Sequence, residues 1–423
     1  KPGPWIAEKK REEMGSAFFD ADGDGDMDLY VISGGNEYNY NSPLIQDQLY
    51  INDGQGNYTN ETEQRIPKME SSGQRLTVAD YDNDGDMDMF VAGRQTPGYY
   101  PFAPRSYLLQ NNGSGQFQDV TAQSIGANAK PTDLSLMGPG MLTDAMFDDF
   151  DGDNDQDLIV VGEWMRITFF ENNGGLFSDV TDRYNPDGAV GWWYASSKGD
   201  LNGDGKNDYV AGNLGANNKF HPSKEKPLEI YTHDFDENGT YDIVLAKYQK
   251  NICYPVRGRQ CSSEQMPFIQ EKFPTYAEFA TADLQTIYGE EALSQALHYS
   301  ATGFHSVILL SNGSGYTTED LPVYAQLGPI NKSINMDVNG DGNLDVVAVG
   351  NNYAAEVETV RYDGGRGAVL LGDGKGGFEQ LAPYESGFYE PNDCKDMVFL
   401  NHGDSQLLIS VSNREKAKTF LLN

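Results

Sequence analysis

A nine-residue pattern recurs six times along this chain, and its carboxylates stand at the spacing that encloses a hard cation. The first three copies are DADGDGDMD (Asp20, Asp22, Asp24, Asp26, Asp28), DYDNDGDMD (Asp80, Asp82, Asp84, Asp86, Asp88) and DFDGDNDQD (Asp149, Asp151, Asp153, Asp155, Asp157). The others are DLNGDGKND (Asp200, Asn202, Asp204, Lys206, Asp208), DFDENGTYD (Asp234, Asp236, Asn238, Thr240, Asp242) and DVNGDGNLD (Asp337, Asn339, Asp341, Asn343, Asp345). Carboxylate and amide oxygens in this density suit Ca²⁺, which takes six to eight oxygen ligands. Position 7 varies freely, as expected if only its carbonyl coordinates, and Gly or Asn at position 6 supports a positive φ at the tight turn. No Glu stands at position 12 and strands flank the loop, so this is not an EF-hand. The loops hold neither sulfur nor imidazole, which disfavours zinc and copper. Asp/Asn/Gly runs are also good turns in their own right; six copies with Asp fixed at positions 1 and 9 favour the cation. The expectation is calcium, about six ions, stabilising the fold without a catalytic role.

Composition agrees with that chemistry. The 423 residues carry 64 Asp plus Glu against 30 Lys plus Arg, a net charge of -34. This excludes a nucleic-acid binder that works by neutralising phosphates, and bound divalent ions would offset part of the charge. Hydrophobic residues at 38% and aromatics at 12% are enough to build a core, so the acidity does not signal disorder. There is no apolar run of the length that spans a membrane, and KPGPWIAEKK lacks a signal core, so any export signal is expected to have been removed. Cys253 and Cys261 are near enough in sequence to pair, and whether they do stays open.

The elements that position the loops follow from the flanking residues. Each loop follows a short mixed strand and precedes an apolar run such as LYVIS, MFVAG, LIVVG or VVAVG, so it joins two strands. A second pattern alternates with it: strand, Asn/Gly-rich turn, strand, as in YLLQNNGSGQF and LLGDGKGGF. Together they make a four-stranded antiparallel unit that cannot bury both faces alone, so several must pack around an axis. Counting the six loops and a worn copy at Phe399 to Leu407 predicts a seven-bladed β-propeller. Six blades is the alternative, with Asp234 to Asp242 belonging to an insertion. The expected organisation is one propeller domain over 1–423, closed by an N-terminal strand that completes the last blade. Within it, a helical insertion is expected over 251–303, where apolar residues recur at helical spacing behind the caps Ser263 and Thr275.

With their flanking strands, these loops resemble the FG-GAP repeats of integrin alpha subunits, called VCBS repeats in bacteria. The wording FFDADGDGDMDLYVISGGNE, RSYLLQNNG, LIVVGEWM, VAGNLG and EKFPTYAEFA is further similar to one propeller of the large secreted repeat-containing proteins of Bacteroidetes. The resemblance covers nearly the whole chain and implies a calcium-stabilised propeller and an exported location, whether extracellular, periplasmic or at the cell surface. It implies no assigned activity. One departure is Asn154, where the pattern has Gly.

All long connections fall on the face opposite the calcium loops. They carry Tyr38, Tyr99, Tyr100, Arg105, Trp164, Arg166, Trp192, Trp193 and Arg361, a composition suited to recognising a protein or sugar rings, although Trp192, Trp193 and several tyrosines would also serve as packing between blades. The expected function is therefore an exported recognition module with a protein or glycan ligand. Two alternatives stay open. One is a polysaccharide lyase or hydrolase using Glu37, Glu163 and Glu356, each of which follows a second strand. The other is a scaffold within a longer chain whose neighbouring domains do the work.

Overall fold

The computed structural model describes residues 3–125, 140–356, 359–403 and 405–422. The chain forms two compact units: one of residues 1–188, 192–219 and 305–423, the other of 189–191 and 220–304.

In the larger unit the alternating apolar pattern produces, among the described residues, six successive antiparallel sheets. Their opening strands are Glu12–Phe19, Ser72–Ala79, Met141–Asp148, Ala195–Gly199, Ile330–Met336 and Cys394–His402. The first five pair with the strand beyond the acidic loop, for instance Phe19 with Asp28 and Ala79 with Asp88, and the sixth pairs across a short hairpin, His402 with Ser405. Residues of all six opening strands line one channel of about 700 Å³, among them Ser16, Arg75, Asp144, Ser197, Lys332 and Asp396. Arg75 and Asp396, from the second and sixth sheets, form an ion pair at 2.5 Å. Successive sheets share cores: Tyr30, Ile32 and Leu49 with Met89 and Val91 between the first two, Val347, Val349 and Val369 with Met397 and Leu408 between the last two. This is β-propeller architecture.

One glycine recurs for a steric reason. Gly93, Gly162, Gly212 and Gly350 stand at or near the ends of second strands, and a Cβ there would meet a backbone carbonyl oxygen at 2.2, 2.2, 2.5 and 1.6 Å respectively. Another backbone segment, the Arg105 connection for Gly93 and the start of a first strand for the other three, passes so close that only glycine fits.

Two expectations need correction. The seven-blade count becomes six sheets, because the loop at Asp234 to Asp242 belongs to the smaller unit and the hairpin at Phe399 to Leu407 is the sixth sheet rather than a seventh. The N-terminal segment does not close the last sheet, which has three strands, Cys394–His402, Ser405–Ser412 and Lys418–Leu422. Glu12–Phe19 pairs within the first sheet instead, and the 3-10 helix Pro4–Glu8 sets Trp5 edge-on against Tyr50 and Tyr58 of that sheet.

The smaller unit is larger than the helical insertion expected over 251–303. It enters between the second and third strands of the fourth sheet and holds its own four-stranded sheet of Leu228–His233, Asp242–Gln249, Ile252–Pro255 and Leu297–Ala301. Five short helices between Arg259 and Gln295 complete it. The helix Tyr276–Ala280 starts with a capping box of Thr275 and Glu278, as the sequence suggested for Thr275, whereas Ser263 lies inside the helix Arg259–Gln265. Met266, Ile269, Phe279 and Ile287 bury Val244 and Ala246 of the sheet. No disulfide joins Cys253 to Cys261.

Candidate metal centres and the opposite loop face

Local backbone chemistry builds every acidic loop the same way. The carboxylate at position 1 accepts hydrogen bonds from backbone N–H groups that the turn points inward: Asp20 from Gly23 (2.8 Å) and Gly25 (3.0 Å), Asp337 from Gly340 (2.7 Å) and Gly342 (2.9 Å). This requires left-handed backbone at positions 4 and 6. Both occur in all six loops, mostly at glycine and otherwise at Asn83, Asn154 and Glu237 with φ of 60°, 74° and 58°. Asn154 therefore fills the glycine position, since Asn tolerates this region.

The carboxylate at position 9 does a different job. It is buried in every copy and clamps two segments: Asp28 accepts from Ala21 (2.9 Å) and from Asn52 (2.8 Å), the latter on the third strand. Asp157 repeats this with Phe150 (3.1 Å) and Asn172 (2.8 Å), and Asp345 with Val338 and Gly372, both at 2.8 Å. Asp88 and Asp208 do likewise, and Asp242 holds Phe235. Burial pushes Asp88 and Asp157 up to about 7 despite these donors.

In four loops the carboxylates at positions 1, 3 and 9 bring ligand oxygens within 4.8 Å of one another: Asp20, Asp22, Asp28; Asp80, Asp82, Asp88; Asp149, Asp151, Asp157; and Asp234, Asp236, Asp242. Buried oxygens without a hydrogen-bond partner show where a cation would be held. They are Oδ1 of Asp22, Asp82 and Asp236 at position 3, and Oδ1 of Asp26 and Asp86 at position 7. Burial first, and then the neighbouring carboxylates, raise Asp22, Asp26 and Asp86. Three or four converging carboxylate oxygens repel one another, and a divalent cation between them neutralises that repulsion. The residues fit calcium; at position 7 Asp26 and Asp86 turn an unpartnered oxygen inward, whereas Asp155 accepts from Asn83 (2.8 Å) and Gly174 (3.3 Å). The other two loops carry Asn at position 3, where Asn202 donates to Asp208 (3.1 Å) and Asn339 to Asp341 (3.0 Å). Asp204, Asn238, Asp341 and Asp24 at position 5 each receive the N–H of position 7, so they brace the turn.

On the opposite loops the structure gathers some of the expected residues and disperses others. Arg94 and Glu163, which follow the recurring glycines Gly93 and Gly162, form an ion pair between the second and third sheets, with Glu163 buried and Arg94 half-buried. Tyr100 donates to Glu163 (3.1 Å) and accepts from Trp164 Nε1 (2.7 Å), and the Trp164 ring meets Trp192 edge-on with centroids 5.1 Å apart. Trp164 holds φ 59°, an uncommon backbone for an aromatic residue. Tyr194 is close enough to feel the charges of Glu163 and Arg94. Beside Tyr100, the exposed rings of Tyr40 and Tyr99 contact each other at 6.0 Å, and Asn36 accepts from Gly98 (2.9 Å).

The remaining sites are separate. Trp193 is core, 1% exposed, with Nε1 bonded to the Met165 carbonyl. Arg105 pairs with Asp119 and Arg166 with Asp182 (2.8 Å). Tyr38 donates to the Lys10 carbonyl, and Arg361 lies over the Tyr353 ring at 3.8 Å. Of the three glutamates, Glu163 is neutralised by Arg94, Glu37 hydrogen-bonds Glu12, and Glu356 accepts from Thr359. Sequence reading missed Arg94 and Tyr194. Aligning second strands on their terminal glycine would have placed Arg94 beside Glu163.

Comparison with known proteins follows this geometry. FG-GAP-like repeats match residues 14–91 and 149–211. A search of curated proteins found no match. Among solved structures, a propeller from Dos1 is 11% identical, covering 98% of this chain and 78% of its own with a TM-score of 0.38. An Agrocybe aegerita lectin that recognises non-reducing terminal N-acetylglucosamine is 14% identical over 87% and 79%, with a TM-score of 0.32. The rhamnogalacturonan lyase YesW is 12% identical over 98% and 72%, with a TM-score of 0.33. No described helix is long and apolar enough to cross a membrane. With the acidic loop repeated in sheet after sheet around one channel, the larger unit is a β-propeller that carries FG-GAP-like repeats over residues 14–91 and 149–211.

Proposed function

We propose that the chain is an exported, calcium-stabilised recognition module whose loop face opposite the acidic loops takes a carbohydrate or protein ligand. The observation that carries this reading is the exposed Tyr40–Tyr99 ring pair next to the Tyr100–Glu163–Arg94 network. Exposed aromatic faces offer apolar area for sugar rings or side chains, and the buried network behind them holds the loops in one arrangement before the ligand arrives. Rigid anchors of this sort lower the ordering cost of binding. Calcium, by pinning the hairpins on the other face, keeps the sheets in register. Partners are thus glycans or proteins met outside the cytoplasm. A role for Glu163 as an acid catalyst is weaker, because Arg94 holds its carboxylate.

Glycan-array and secreted-protein capture in calcium tests the reading. Tyr40→Ala and Tyr99→Ala should each weaken a captured ligand tenfold or more with the melting temperature unchanged. A ligand retained at full affinity by both variants would place recognition elsewhere.

A further inference from the structure

The smaller unit holds a groove that neither the acidic loops nor the opposite loop face uses. Its volume is about 610 Å³, within the range of small-molecule sites, and every residue that lines it belongs to that unit. Strand register explains the floor. Tyr231 pairs with Val244 and His298, Glu229 with Ala246 and Ser300, and Tyr248 with Cys253, so all these side chains share one face of the four-stranded sheet. Val244 and Ala246 lie under the helices, whereas Tyr231, Tyr248, Cys253 and His298 open into the groove. The helices Leu284–Tyr288 and Glu290–Gln295 form the wall, which is apolar at Leu284 and Leu293 and acidic at Asp283 and Glu290.

Charge in this groove is one-sided, for no Lys or Arg lines it. Glu229, on the same sheet face, is only 5% exposed. Both of its donors, His298 Nε2 (2.6 Å) and Ser300 Oγ (2.5 Å), reach one oxygen, Oε2, and among the described residues no donor reaches Oε1. The Tyr231 ring stacks flat on the imidazole with centroids 4.2 Å apart, which holds the pair in place. Even with His298 protonated, the carboxylates of Glu229, Asp283 and Glu290 leave the groove negative. Cys253 on the floor feels that field: burial first, and then Glu229 and Asp283, push its thiol up to about 12.

We propose that this groove binds a small organic cation, an alkylammonium whose chain lies along the tyrosine rings and leucines while its ammonium group meets Asp283 and Glu290. Apolar walls alone would accept any chain, and exposed carboxylates alone are satisfied by water. Together they select a ligand that is both apolar and positive, with the tyrosine faces adding attraction for the cation. An anion meets like charge along the groove, and a neutral chain strips water from the carboxylates without replacing it. This site is separate from the loop face of the larger unit and does not depend on what that face recognises.

Hexylamine, hexanol and hexanoate share a chain and differ in charge, so they separate the two contributions. Cys253, half-buried on the floor, reports occupancy in the full chain through peptide-resolved maleimide alkylation, with Cys261, which does not line the groove, as the reference. At about ten times its half-protecting concentration, hexylamine should slow Cys253 about tenfold by mass action and leave Cys261 unchanged. Hexanol and hexanoate at the same concentration should alter neither rate. Asp283→Asn, which keeps the acceptor that caps Thr286, combined with Glu290→Gln should raise the half-protecting concentration about tenfold or more, with an unchanged circular dichroism spectrum. Equal protection by hexanol would mean an apolar gap without charge recognition and would overturn the proposal. So would protection that the doubly substituted chain retains in full, or no protection by hexylamine at all.

Discussion

Asp151→Asn and Asp157→Ala should separate the two jobs that one acidic loop performs. Asp157 is fully buried, and its two oxygens accept from Phe150 and Asn172. Alanine orphans both N–H groups, each costing about 1–3 kcal/mol, so the loss should reach roughly 2–6 kcal/mol and persist when calcium is stripped. Asp151 accepts one backbone hydrogen bond, from Asp153 at 3.1 Å, and its amide isostere keeps that acceptor. Only the charge facing the cation goes. In chelator, Asp151→Asn should therefore be neutral or slightly stabilising, because Asp151 is raised by burial and then by Asp153. In saturating calcium a tenfold weaker site costs about 1.4 kcal/mol. Urea unfolding followed by circular dichroism, in 1 mM calcium (about that concentration) and in EDTA, measures all four values. The reasoning fails if Asp151→Asn costs the same in both buffers, or if the unsubstituted chain shows no calcium dependence.

Three further outcomes follow from single contacts. Asp47 is buried, with Tyr30 and Ser33 donating to it, and burial pushes it up to about 7. The folded state thus holds a proton that the unfolded state releases near pH 4, so the contribution is full below about pH 4 and is lost as pH rises through about 7, on the order of 4 kcal/mol; Asp47→Asn should flatten stability across that window. Glu237 occupies a left-handed position that glycine fills in four of the loops, so Glu237→Gly should stabilise by about 1 kcal/mol in thermal unfolding. Arg94→Met leaves Glu163 buried without its partner and should cost about 3–5 kcal/mol, whereas Arg94→Met with Glu163→Gln should recover most of it.

Some of these sites were legible because their causes are local. The glycines at positions 4 and 6, the position 1 carboxylate and the donors that hold it lie within six residues, so the motif carries its own geometry. The partnership of Arg94 with Glu163 spans 69 residues and joins two sheets, and no local pattern announces it. Trp193 reads like Trp192 in sequence, yet one is core and the other meets Trp164 edge-on. Trp193 packs among Ile159, Val161 and Tyr209, residues distant in the chain, which the local sequence does not announce.

By itself the sequence determined the hairpins, the cation-ready loops and the alternation that makes each strand half-buried. These depend on turn chemistry and side-chain parity, which act over a few residues. Tertiary structure alone decided that six sheets share the channel, that the loop at Asp234 to Asp242 belongs to a separate unit, and that the N-terminal segment lies on the first sheet rather than closing the last. Alternation says that a face is apolar, but what covers it depends on elements distant in the chain. Val349 and Val411 occupy equivalent places in their strands, and only the packing of the next sheet buries one and leaves the other in water.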